Sequence, residues 1–396
     1  MALDERSKNR NVFFVGLLSF FGGISQDIFS PILPIYLTTI LGFDKTFVGV
    51  AEGVVTASAN LLSVIAGFVS DRLKKQKLIV FSGYLLSAVS RPLLAFFTSG
   101  VGVIFLRGVD GVGKGIKDPP KDVLIAGSSQ KDVRGKSFGI ARMLDTLGSV
   151  AGPLILFALL YFLKGGASLY HSILLFSAVP LIVTLVVLVF YVREVHPDSY
   201  LSLDHTADEK KKLPLSFYIF LGIVVLFTLG NSSDAFLILR AKSVGVTLLE
   251  IPLVIALFNL MYAALAVPMG SLSDKIGRIP TMCIGWGSYA LVYLGFALAS
   301  GSAAIWALYA LYGIYYAANQ GVAKAFLTDM VGTDHRGRAF GIYSATVGIA
   351  TLPASFIAGL LWDHVGAAAP FYFGAVTASS AIALLVLFSK KMSVVA

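Results

Sequence analysis

The stretch "GSLSDKIGRIP", residues 270–280, has an earlier echo, "GFVSDRLKKQK", at residues 67–77. The offset is 203 residues in a chain of 396, close to half its length. In both copies an apolar run closes on small residues, an aspartate follows, and cations come next. "RGKSFGI" (134–140) and "RGRAFGI" (336–342) repeat the relation at an offset of 202. "GISQDIF" (23–29) and "GNSSDAF" (230–236) do so at 207. Three matches at nearly one period identify a duplicated unit.

Composition says what kind of unit. The chain is 57% hydrophobic and 13% charged, with a mean hydropathy of +0.82. One soluble core cannot hide that much apolar surface, so a polytopic membrane protein is expected. A helix crossing a bilayer needs about 20 predominantly apolar residues. Twelve stretches qualify, at 12–40, 46–70, 78–98, 101–126, 136–163, 168–192, 214–239, 246–272, 280–299, 302–328, 338–362 and 368–389. The first is too long for a signal-peptide core and reads as a span. Most links are short. The polar run "REVHPDSYLSLDHTADEKKKLP" separates six spans from six. The expected fold is therefore all-α, with twelve transmembrane helices in two pseudo-symmetric six-helix bundles. Residues 1–193 form the first bundle, 194–213 a cytoplasmic linker and 214–396 the second. Repeats related by an axis along the membrane normal are one way secondary transporters are built.

The net charge of +9 could suggest a nucleic-acid partner, but its distribution points elsewhere. Only Lys45, Lys164, Arg240 and Lys242 lie in one alternate set of links; the other set, with both termini, holds the remaining link cations. That bias places both termini in the cytoplasm of a multi-pass protein of the plasma (inner) membrane. The lone Cys283 excludes an internal disulfide. The five histidines share no metal-ligand spacing, and no phosphate loop or nucleophile elbow occurs. These absences argue against a metal, a cofactor, ATP-driven transport and an enzyme.

One span carries charges that lipid should refuse: "RGVDGVGKGIKDPPKD", residues 107–122. At about 100° per residue its seven charged side chains fall within an arc of roughly 140°. A mid-bilayer charge costs about 2.5–3.5 kcal/mol, so this face must turn toward other helices or water. Pro119 and Pro120 are expected to break the helix there. Spans 1 to 5 together hold six cations (Arg91, Arg107, Lys114, Lys117, Lys121, Arg142) and six anions (Asp27, Glu52, Asp110, Asp118, Asp122, Asp145). A self-neutralised network is expected, with Lys117, Lys121, Arg142 and Asp145 joining helices 4 and 5.

These residues resemble the major facilitator superfamily over essentially the whole chain. Gly67, Asp71 and Arg72 are similar to the start of its loop 2–3 motif, with Lys74 where a second glycine is usual. Gly270, Asp274, Gly277 and Arg278 form the repeat copy. Arg107, Gly111 and Gly113 resemble the helix 4 motif, whose buried arginine the family links to proton coupling. Gly139, Gly148, Gly152 and Pro153 have the spacing of the helix 5 motif associated with antiporters, although Leu156 and Phe157 replace its closing glycines. "GKGIKDPPKD" resembles a poorly characterised bacterial branch. The resemblance implies a proton-coupled secondary transporter that works by alternating access and exports a small organic molecule. An uptake or exchange carrier for an organic anion, clamped by Arg107, Lys114 and Arg142, is the alternative; a non-transporting sensor or scaffold is a third reading.

The expected roles follow. Asp27, Glu52, Arg107 and Asp110 serve proton coupling. Gln26, Lys114, Arg142, Asn231, Asp234, Asn259, Tyr262 and Asn319 line a substrate cavity. Gly67, Asp71, Arg72, Gly270, Asp274 and Arg278 form conformational latches, the aspartate capping a neighbouring helix. Lys117, Asp145, Gly148, Gly152 and Pro153 pack helices. The expected partners are a small-molecule substrate, protons and the lipid bilayer, with no nucleic acid, around a monomer.

Overall fold

A computed structural model describes residues 5–73, 75–129, 134–163, 165–195, 213–331 and 336–392. Among them no strand occurs. Twelve long helices follow one another, with a single helical turn, Ser389–Met392, after the last. The first six are α1 (Glu5–Ile35, continued by a π-helical turn Tyr36–Ile40), α2 (Lys45–Leu73), α3 (Gln76–Leu93), α4 (Gly100–Gly127), α5 (Arg134–Phe162) and α6 (Ala167–Phe190). The second six are α7 (Leu215–Ser243), α8 (Ile251–Ile276), α9 (Arg278–Leu298), α10 (Ser302–Val331), α11 (Arg336–His364) and α12 (Ala369–Leu387). The chain forms two compact units, Met1–Gly42 with Val54–Ser202, and Phe43–Gly53 with Leu203–Ala396.

Among the described residues, nine helices are long and apolar enough to cross a membrane by composition alone. The three that fall short are α3, α4 and α10. Gln76, Lys77 and Arg91 dilute α3, the charge run dilutes α4, and tyrosines and amides dilute α10. Such helices are tolerated in a bilayer only where neighbours cover their polar face. In the first unit α3 packs along α4, and in the second α10 packs between α8 and α9. The least lipid-like helices are thus held by protein, and they carry the polar residues described below.

α4 shows the division on one helix. Val101 and Phe105 are strongly exposed, as lipid-facing residues are, while Arg107 and Asp110 on the other side are buried. The expected break at Pro119 does not occur, because α4 runs unbroken from Gly100 to Gly127. Two adjacent prolines remove two helical N–H donors, but α2 and α3 flank the turn they weaken. A Cβ on Gly115 would lie 2.4 Å from the Ala59 carbonyl oxygen, and one on Gly111 2.5 Å from that of Val55. Backbone packed so closely leaves no room to kink.

The real interruption lies in α7, between Gly230 and Ala235. The polar run "NSSD" supplies its own partners there. The Asn231 N–H donates to the Phe227 and Thr228 carbonyls, and the Ser233 side chain accepts from Ala235 N–H. Gly230 remains beneath Tyr289, whose hydroxyl donates to its carbonyl at 2.8 Å.

The two cores differ. The first unit buries Val15, Leu18, Val80, Tyr84, Leu124 and Leu188. The second is built on rings, with Trp286, Tyr289, Tyr293, Phe217, Phe296 and Phe371 almost wholly enclosed. α1 and α5 approach closely through small residues, as membrane helices do without a hydrophobic drive between them. A Cβ on Gly148 would stand 2.3 Å from the Phe20 carbonyl oxygen, and one on Gly152 2.8 Å from the Asp27 Cβ.

Candidate functional site

The first cluster grows from α4. Asp110 has no exposed surface, and three cations share its carboxylate. Arg91 Nε of α3 donates to Oδ1 at 3.0 Å. Arg107 Nη1 and Lys114 Nζ, one turn to either side, reach Oδ2 at 3.4 and 3.2 Å. The helix itself sets this geometry, since residues three and four apart share a face. Arg91 then reaches α1. Its Nη1 donates to Ser25 Oγ and its Nη2 to Gln26 Oε1, both at 2.8 Å. Ser25 in turn donates to the Ser177 carbonyl at the joint of α6. Both guanidinium groups lie over the Phe29 ring, at 5.4 and 5.5 Å from its centroid.

The evenly balanced network expected from sequence is therefore divided unevenly. Three cations meet one carboxylate at Asp110, and Asp118 receives Lys117 and Lys121 at 3.0 and 3.2 Å. Arg142 pairs with Asp145 on its own helix at 3.2 Å. These three ion pairs lie within single helices, Lys121 and Arg142 each reaching an i,i+3 partner and Lys117 its immediate neighbour, while Lys121 also interacts electrostatically with Asp145 of α5. Lys117 also lies 5.4 Å from the centroid of the Tyr84 ring, toward α3. Asp27 stands apart: its partner is the Ser149 side chain of α5, and among the described residues no cation pairs with it. Glu52, on the part of α2 that groups with the second unit, is half-buried.

In the second unit, Asp234 ends the break in α7. Tyr312 and Tyr316 of α10 donate to its two carboxylate oxygens, each at 2.9 Å. A small cavity lies beside this pair, lined by Asn231, Asn319, Trp286, Tyr315, Phe227 and Tyr343 among others. Asn231 donates to the Tyr315 hydroxyl, and Trp286 to the Asn319 side-chain oxygen, both at 3.0 Å. Tyr262 donates to Gln320 at 3.2 Å, and Asn259 is buried on α8. The tyrosines of α10 were missed from sequence. The run "YALYGIYYAANQ" (309–320) spaces them at helical intervals and held the signal.

The repeat copy of the loop motif is fully formed. Gly277 turns the chain at φ +96°, a conformation that favours glycine. Arg278 then joins Asp274 at 2.5 Å, Ser273 at 2.8 Å and Asp329 of α10 at 3.1 Å. Asp274 thus meets a side-chain cation, Arg278, at the start of the next helix. In the first copy a Cβ on Gly67 would meet nothing within 4 Å and Arg72 is exposed; the Asp71 side chain and Lys74 lie outside the described residues. Among the described residues no group of His, Cys, Asp and Glu could hold a metal.

Residues 15–239 and 215–393 match the Major Facilitator Superfamily profile. An uncharacterised MFS-type transporter of Methanocaldococcus jannaschii is 35% identical over 381 residues, covering 95% of this chain and 94% of that protein. A multidrug resistance protein, MdtH of Aeromonas hydrophila, is 27% identical over 151 residues, 38% of each chain. The crystal structure of a point mutant of the nucleoside transporter NupG superposes with a TM-score of 0.80 at 14% identity, covering 96% of this chain and 99% of that one. Twelve helices in two units, a profile match through both halves and a near full-length relative have one common explanation: this chain is an integral membrane protein of the Major Facilitator Superfamily.

Proposed function

We propose that the protein is a proton-coupled secondary transporter that exports a small organic molecule by alternating access, with Asp27 as its proton carrier. The supporting observation is the contrast between two carboxylates of the first unit. Asp110 is fixed by three cations, so changing its charge would strand them all. Asp27 is held by a serine hydroxyl and, among the described residues, by no ion pair. Its charge can change with least disturbance to its neighbours. Arg107 and Asp110 then form, with Arg91, the charged frame against which Asp27 responds. Export is the direction suggested by the helix 5 motif and by the partial likeness to a protein named for multidrug resistance. Both termini are assigned to the cytoplasm on the charge bias of the links.

The test is flux in proteoliposomes with an imposed pH gradient, once a transported compound is found by screening. Asp27→Asn should abolish gradient-driven accumulation and leave substrate exchange across the membrane intact. Wild-type accumulation by Asp27→Asn, with unchanged pH dependence, would remove Asp27 from coupling. The reversed sign of proton movement would replace export by symport.

The alternative of an organic-anion carrier draws on one observation, the excess of cations around Asp110. Lys114 keeps 21% of its side chain exposed and is the member of that cluster with surface left for an anion.

A further inference from the structure

Asp234 presents an imbalance of the opposite sign. It lies well inside a membrane-spanning helix, at the break in α7, and its side chain is exposed. A carboxylate at such depth demands water, a cation or both. Among the described residues no lysine or arginine pairs with it. A second carboxylate, Glu52, which groups with the same unit, acts on it electrostatically. The hydrogen bonds from Tyr312 and Tyr316 use one acceptor site on each oxygen and leave others open, since an ionised carboxylate offers about four.

The two tyrosines that hold the carboxylate are themselves set among aromatic rings. Tyr316 and Phe258 meet edge to face with centroids 5.0 Å apart, and Tyr262 lies 5.9 Å from Tyr316. Phe258 is also 5.5 Å from Tyr312. Tyr316, Phe258 and Tyr262 are only partly buried, so ring surface remains available in the aromatic cluster to which Tyr316, a partner of the carboxylate, belongs. An accessible anion bordered by π faces matches the two attractions that hold an ammonium group, charge pairing and cation–π contact. An anion would be repelled by ionised Asp234, and a neutral ligand would gain no charge pairing there.

We infer that Asp234, Tyr316, Phe258 and Tyr262 form a binding site for an organic cation, the quaternary or protonated amine of a small molecule. This inference rests on the transporter reading, because it names the substrate class that the second unit receives. It differs from that reading in needing no proton gradient.

Binding is therefore tested without transport. The purified full-length protein in detergent is titrated calorimetrically with benzyltrimethylammonium, with neopentylbenzene, its uncharged carbon isostere, and with benzoate. The cation should bind at least about tenfold more tightly than either comparison compound, the scale of one ion pair reinforced by ring contact. Asp234→Asn should weaken cation binding by about tenfold or more, and Asp234→Glu by less. Tyr316→Leu, which removes the ring, should cost more than Tyr316→Phe, which keeps it. Gel filtration and melting temperature establish that each variant is folded. If Asp234→Asn does not fold, the comparison of cation and isostere on the wild-type protein decides. Equal binding of the isostere, absent binding of the cation, or unchanged affinity in folded Asp234→Asn overturns the inference. Cation binding without proton-driven flux would count against the coupling proposal and leave this site standing.

Discussion

At the scale of single residues, the two units use opposite electrostatic solutions. Asp110 is enclosed by Arg91, Arg107 and Lys114, and its removal would leave buried cations without their anion. Asp110→Asn should therefore lower stability by about 3–5 kcal/mol, the cost of breaking a buried pair from one side. Thermal unfolding in detergent measures this. Lys114→Met should cost much less, because Lys114 is partly exposed and the two arginines remain. An Asp110→Asn protein that melts like the wild type would show that packing, and not charge, holds the cluster. Arg91 is the residue whose importance the sequence understated. It was visible as an intramembrane cation, but nothing in its span names Ser25, Gln26 and Asp110 as partners on other elements.

At the scale of elements, helix ends and seams carry the testable energetics. A turn closed by reciprocal hydrogen bonds of the capping-box kind leads into α8. Thr247 Oγ1 accepts from Glu250 N–H at 3.3 Å, and a Glu250 carboxylate oxygen accepts from Thr247 N–H at 2.8 Å. Those hydrogen bonds favour the ionised form and hold the Glu250 carboxyl below its ordinary value of 4.5. A carboxyl lowered by folding stabilises above its ordinary value and loses that contribution as the pH falls through its folded value. Acidification below 4.5 should thus lower the melting temperature more in the wild type than in Glu250→Gln. Within the second unit, Asp363 caps the start of α2, accepting from Thr46 N–H at 2.8 Å and from Thr46 Oγ1 at 2.7 Å. Asp363→Ala should cost about 0.5–2 kcal/mol in thermal unfolding, as lost caps do. At the α1–α5 seam, Gly148→Val would drive a side chain into the Phe20 backbone. A loss of about 1–3 kcal/mol or more, seen as reduced yield and melting temperature, is the expected result.

At the scale of the molecule, duplication explains why corresponding helices share structural features. α1 and α7 both depart from regular α-helix, one in a π-helical turn and the other in an open break, and each bears an aspartate. α4 and α10 occupy equivalent places in the repeat and are both too polar to pass as lipid-facing spans. Reporter fusions in the linker and at the C-terminus should give the same compartment signal. Fusions near Lys45 or Gly245 should give the opposite one. Opposite signals from linker and C-terminus would contradict the assignment of both to the cytoplasm.

The sequence by itself determined the class, the number of helices and the duplication. Apolar length, polar links and a repeated motif are local properties, and each survives without knowing which helix touches which. It also marked Asp27 and Asp234 through their shared contexts. Tertiary structure decided the pairings. Every charge of the first half was legible, but helical spacing already permits partners within one helix. Only packing showed that Lys117 chooses Asp118, and that Arg91 crosses from α3 to Asp110. The unbroken α4 follows from contacts with α2 and α3 that its own prolines cannot report. The aromatic setting of Asp234 follows the same logic. Its tyrosines lie some 80 residues away in the chain, and the packing of α10 against α7 brings them to it.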